Sequence, residues 1–283
     1  PSAAELGASR EGFSAYDASL APAANTTTHE ETWSMTEEIV EVAPGVKQMQ
    51  WLFNGQAPGP TLRGKVGDKF KITIKNEGSM AHSIDFHASR ASPDTTMRTI
   101  SPGRSLDVEF TIDHAGIWLY HCSTMPMSAH IAAGMFGALI VAPADLPTVD
   151  RQYVLVQSET YLAEQNNQPV DTGKIADEKV DLTMFNGHAN QYLFAPLQAR
   201  VGERVRFWVL DAGRVAESAA RRGTRPAPLG AAPAPGSRMC RCGWDPPPYT
   251  LGVSPHAPRD EAEALAPPQR SLTAEQLPTP GPW

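Results

Sequence analysis

Long apolar runs are missing from this sequence. No stretch approaches the roughly 18 uninterrupted apolar residues of a membrane-crossing helix, so no span is expected. Cysteine is scarce, three in 283 residues, with Cys122 alone until Cys240 and Cys242. That count excludes a disulfide framework and leaves one cysteine, embedded among histidines, as a ligand or nucleophile. Basic blocks interleaved with aromatics are also absent, and the formal net charge is −7. Nucleic acid and anionic membrane surfaces are therefore excluded as expected partners. Neither an initiator methionine nor an apolar signal core opens the chain, which starts at Pro1 and reads as a mature form or a fragment.

What is present is a set of short alternating runs. After an Ala/Ser/Thr/Glu-rich stretch over 1–32, expected to be a flexible leader with a solvated His29, the texture changes at Trp33. Glu38 to Val42, Lys69 to Lys75 and Leu106 to Ile112 alternate with period two, the mark of half-buried strands. Gln48 to Phe53, Ile117 to Tyr120 and Gly137 to Val141 are further strands between Gly/Pro turns. Such spacing predicts an all-β sandwich over 33–147, and no long amphipathic helix competes with it.

A second domain is expected over 148–212, opening with the strand Gln152 to Ser158. It repeats the first. Phe53-Asn54-Gly55 returns as Phe185-Asn186-Gly187, and Val66-Gly67-Asp68 to Asn76 returns as Val201-Gly202-Glu203 to Asp211 with unchanged spacing. The repeat then stops. Residues 213–283 form an expected disordered tail, since 214–283 hold 14 of the chain's 26 prolines with no alternation. An out-of-frame reading entered near Gly213 would account for that break, and a genuine Pro/Ala-rich linker is the alternative. Cys240-Arg241-Cys242 lacks the partners of a zinc site, and His256 is expected to be inert.

The chemistry concentrates between His82 and Met135. Cys122, His130 and Met135 form a Cys-x7-His-x4-Met loop, and His82 lies upstream on another strand end. Two imidazoles, one thiolate and a weak thioether are the blue-copper ligand set. Met125 and Met127 fall inside the loop and are read as packing. His121 directly precedes Cys122, so in extended chain the two point to opposite faces. His87 lies on the strand carrying His82, an odd number of positions on, and shares the face of His121. Two outward histidines suit a second, surface-facing metal. Asp85, between His82 and His87, is placed to donate a proton to an anion bound there. His114 and His188 are expected at the surface.

At His82-x-x-Asp85-x-His87 and Tyr120-His121-Cys122-x7-His130-x4-Met135 the chain resembles the copper-containing nitrite reductases of the two-domain cupredoxin type. The resemblance implies cupredoxin-like Greek-key sandwiches, the first complete and the second incomplete. It implies type 1 copper on His82, Cys122, His130 and Met135. Type 2 copper would lie on His87 and His121, with a third histidine from a neighbouring subunit. Asp85 takes the position of a catalytic aspartate. The family reduces nitrite to nitric oxide, works as a homotrimer outside the cytoplasmic membrane, and receives its electron from a small redox protein. A laccase-like multicopper oxidase is the rival, disfavoured because Ser123 follows Cys122 where a third-type ligand histidine is needed. A non-catalytic blue-copper electron-transfer protein is the further alternative, because the expected second-domain histidines are absent after Asp211.

Overall fold

The computed structural model describes residues 14–89 and 91–213. The expectations for 214–283, including Cys240, Cys242 and His256, lie outside the described residues. Two four-stranded sheets build the first sandwich. One has the order β2-β1-β4-β6, from Val46–Phe53, Thr28–Ala43, Lys69–Asn76 and Ser105–Thr111. The other has the order β3-β8-β7-β5, from Leu62–Lys65, Phe136–Ala142, Gly116–His121 and Asp85–Phe86. Period-two alternation is visible as burial: in β4 Phe70, Ile72 and Ile74 face the core, and β6 turns Leu106, Val108 and Phe110 to meet them. Trp33, Phe53, Phe86 and Tyr120 close the core as a ring cluster with centroids 5.1 to 6.1 Å apart.

A three-stranded sheet follows, in the order β10-β9-β11, from Leu182–Phe185, Arg151–Thr160 and Val205–Asp211. Its topology repeats the first. β1 pairs antiparallel with β2 and parallel with β4; β9 pairs antiparallel with β10 and parallel with β11. The turns match as well. Gly67 and Gly202 both have φ +93, a conformation L side chains rarely adopt, and Asn54 and Asn186 have φ 53 and 52. Strand β8 is buried on both faces: Leu139 and Val141 enter the first core, while Phe136, Ala138 and Ile140 pack on Val154, Val156 and Trp208. This two-sided burial explains why Gly137 to Val141 reads as a continuous apolar run.

The leader expectation needs correction. β1 begins at Thr28, not after Trp33, and Thr28 to Met35 run parallel to β4. Residues 16–20 lie along the second sheet: Val154 N–H donates to Ala18 O at 2.9 Å and Leu20 N–H to Gln152 O at 3.0 Å. His29 is not solvated. It is buried, stacked on Phe70 at 4.4 Å, with Nε2 3.0 Å from Asp68 Oδ2. All helices among the described residues are short, the longest being Met127–Ala132.

Candidate metal centres

Strand β7 delivers the central pair. Tyr120 and Cys122 face the core of the first sandwich, and His121 between them turns to the other face, because side chains alternate along a strand. Cys122 N–H donates to Met135 O at 3.0 Å and Met135 N–H to His130 O at 3.1 Å, so the main chain of Met135 bridges the cysteine and the histidine. His130 sits on the short helix Met127–Ala132. His82 is held by two main-chain bonds with Ile100, at 3.2 and 2.7 Å.

These three side chains converge. His82 Nδ1 and His130 Nδ1 are 3.2 Å apart, and Cys122 Sγ is 3.3 Å from His130 Nδ1 and 3.9 Å from His82 Nδ1. The centre of such a triangle lies roughly 2 Å from each atom, the bonding distance of an imidazole nitrogen to a divalent transition metal. Burial pushes His82 down to about 4, with His130 adding to the shift and Glu37 opposing it, and burial also lowers His130. Both rings are therefore neutral near pH 7, and each turns its Nδ1 toward the other and toward Cys122 Sγ. His82 Nε2 is buried with no hydrogen-bond partner. Met135 is fully buried, with its main chain bonded to Cys122 and His130. Of the other loop methionines, Met125 is 79% exposed, so the packing role expected for it is not what the fold assigns. The residues present fit copper: one cysteine sulfur and two neutral imidazoles with donor atoms 3.2 to 3.9 Å apart, and a buried methionine whose main chain bonds to Cys122 and His130.

On the opposite face, Asp85 is the direct cross-strand neighbour of His121. His87 N–H donates to Leu119 O at 3.1 Å, which fixes the residue beside β7. His87 Nε2 lies 3.0 Å from His121 Nε2 and 3.3 Å from Asp85 Oδ2. His121 Nδ1–H donates to the Cys122 carbonyl at 2.9 Å, which leaves its Nε2 as the lone pair that faces His87 Nε2. Burial lowers His121, and its main-chain bond opposes that. For Asp85 burial acts upward, but the hydrogen bond from His87 and the charges of His87 and His121 prevail, and the net shift is downward. Asp85 and His87 are each about one-fifth exposed, so this cluster meets solvent where the first does not.

The other histidines stay apart. His114 is exposed beside Trp118. His188 is buried rather than at the surface, with Nδ1 2.8 Å from Ala189 O and Nε2 4.0 Å from Glu41. Sequence reasoning passed over Ser83, whose N–H donates to Cys122 Sγ at 3.4 Å and whose hydroxyl meets Ser123 and Thr124 at 2.9 and 3.0 Å. Its position next to His82 was the available signal. Trp51, whose ring lies 4.6 Å from His130, had none.

Two clusters that could each hold a metal ion lie on opposite faces of one strand, joined by the Cys122–His121 peptide, in a cupredoxin-like fold. Residues 34–145 match the multicopper oxidase family model. A copper-containing nitrite reductase of Neisseria gonorrhoeae is 33% identical over 186 residues, 62% of this chain and 47% of that protein. A solved copper nitrite reductase from Nitrosomonas europaea superposes with a TM-score of 0.61 at 35% identity, covering 66% of this chain and 68% of that one. A crystal structure of a multicopper oxidase gives 0.57 at 28% identity, covering 66% and 64%. The chain belongs to the family of copper nitrite reductases and multicopper oxidases. It spans about half the length of the curated relatives it matches.

Proposed function

We propose that this chain is a copper-dependent oxidoreductase whose reaction is the reduction of nitrite to nitric oxide. The observation carrying this reading is the pairing of a closed His82–Cys122–His130 cluster with an open Asp85–His87–His121 cluster through one peptide bond. His82, Cys122, His130 and Met135 would hold type 1 copper, and His87 and His121 would hold type 2 copper. When bound, copper supplies one-electron redox chemistry, and nitrite takes up one electron and two protons to leave as nitric oxide and water. The sulfur of Cys122 and the ring of His121 lie on adjacent residues, which would give an electron a short covalent route between the two clusters. Asp85 rests as a carboxylate, held by His87 Nε2 at 3.3 Å, and hands on a proton that it first takes from solvent.

The second set offers two imidazoles from this chain, and its third ligand is a histidine of a neighbouring subunit in a trimer of chains with a complete second domain. A sandwich over 33–147 and a partial one over 148–212 are the matching domain division. A small redox protein is the electron donor. The location is extracytoplasmic, and no helix among the described residues is long and apolar enough to cross a membrane. The second reading, a blue-copper electron-transfer protein, is favoured by one observation: no third histidine accompanies His87 and His121 among the described residues. Anaerobic incubation of the copper-loaded chain with nitrite and a chemical reductant, followed with a nitric oxide electrode, separates the two. Nitric oxide release that stops on His87→Ala supports the reductase; a blue protein with no release sinks it.

A further inference from the structure

Three hydroxyls tie together the two strand ends that carry His82 and Cys122. Register supplies the contact: β5 and β7 set Asp85 opposite His121, and continuing that pairing brings Ser83 opposite Ser123. Ser83 Oγ lies 2.9 Å from Ser123 Oγ, 3.0 Å from Thr124 Oγ1 and 4.0 Å from Cys122 Sγ. Its two near partners are thus oxygens, and the sulfur is the farthest of the three. The group that addresses the sulfur is the Ser83 main chain, whose N–H donates to Cys122 Sγ at 3.4 Å. Ser83 is buried between His82 and Ile84, which are buried too. The hydroxyl therefore acts on position, and the N–H acts on the sulfur.

We propose that Ser83 is a positioning residue: its hydroxyl, clasped by Ser123 and Thr124, holds its own N–H on Cys122 Sγ and thereby raises the reduction potential of copper bound there. The inference rests on the copper reading of the His82–Cys122–His130 cluster. Hydrogen bonding around a ligating cysteine sulfur is one of the levers on the potential of such a site. A donor stabilises the form in which the sulfur holds more negative charge, and that is the reduced one. Substitution of Ser83 by any residue but proline keeps the N–H. A side-chain change therefore tests the clasp and not the presence of the donor. Ser83→Ala removes the hydroxyl and lets the N–H drift from Sγ, whereas Ser83→Thr keeps a hydroxyl at the same position. Ser123 and Thr124 can each stand in for the other, so both must be changed to open the clasp from the opposite strand end.

Spectroelectrochemical titration of the copper-loaded full chain, read through its intense visible band, tests this. Ser83→Ala should shift the equilibrium about tenfold toward the oxidised form, a fall of about 59 mV for one electron. Ser123→Ala combined with Thr124→Ala should give the same fall, and adding Ser83→Ala to that pair should lower the potential no further. Ser83→Thr should keep the parent potential. Circular dichroism and band intensity show that each variant is folded and loaded; if the Ser83→Ala chain does not fold, the Ser123/Thr124 pair carries the test. A potential that stays at the parent value in these variants, or shifts that add, overturns the clasp and leaves copper binding standing. A parent chain without the intense band overturns the copper reading and the clasp with it.

Discussion

Gly137→Ala probes how firmly the strand ending in His121 and Cys122 is seated. Gly137 stands directly across from Tyr120 in the β7–β8 pair. A Cβ there would lie 2.3 Å from Tyr120 Cζ and Oη, and one at Gly59 would lie 2.5 Å from the same Oη. The tyrosine ring has no retreat: it is fully buried against Trp33, Phe53 and Phe86, and its hydroxyl donates to Pro60 O at 2.7 Å. Overpacking a closed core costs about 1–3 kcal/mol, and this cage puts Gly137→Ala at the upper end. Tyr120→Ala alone removes a large buried ring and costs about 3–5 kcal/mol. In the double variant the new methyl enters the space the ring has left, so the clash disappears and the two changes couple favourably by about 1–3 kcal/mol. Equilibrium urea unfolding of the four chains measures this. A Gly137→Ala cost under about 0.5 kcal/mol, or the same cost with and without the Tyr120 ring, would refute the argument.

Cys122→Ala should abolish the intense visible colour of the copper-loaded protein, while His87→Ala should leave it; spectra showing loss in both would refute the assignment of two ligand sets. Asn186 accepts from Val156 N–H at 2.8 Å and donates to Val154 O at 2.9 Å, buried at φ 52, so Asn186→Ala should cost about 2–4 kcal/mol. Its repeat partner Asn54 is exposed and Asn54→Ala should cost distinctly less, read from the same unfolding curves. Glu203 is held down to about 2, first by the hydrogen bond from Arg151 and then by Arg200 N–H. A depressed carboxyl stabilises fully above its ordinary 4.5 and loses that contribution as pH falls toward 2, so the stability gap between parent and Glu203→Gln should close over that window.

The elements legible in the sequence were those with one face buried over a full strand. β4 and β6 announce themselves by Phe70-x-Ile72-x-Ile74 and Leu106-x-Val108-x-Phe110, and the repeated Val-Gly-acid turn fixed the second sheet before any coordinate. β3 and β5 escaped because four and two residues are too few for a period. The extension of β1 back to Thr28 and the pairing of residues 16–20 with β9 escaped for another reason: main-chain bonds leave no mark on side-chain pattern. His29 looked solvated among polar neighbours because its partner Asp68 is 39 positions away. His188 looked exposed after an Asn-Gly turn, yet Ala189 N–H donates to Val42 O at 2.7 Å and draws that turn onto β1. The Cys122–His130 cluster was readable because a short loop must bring the two side chains together. The hydrogen bonds of Ser83 that cross from one strand end to the other were not.

Titration of the metal-free chain with Cu(II), followed by visible absorption and electron paramagnetic resonance, tests the central claim most directly. The account predicts that one equivalent produces an intense charge-transfer band and a narrow-hyperfine signal, supplied by Cys122 with His82, His130 and Met135 of the same chain. A chain that takes up copper with neither would contradict it.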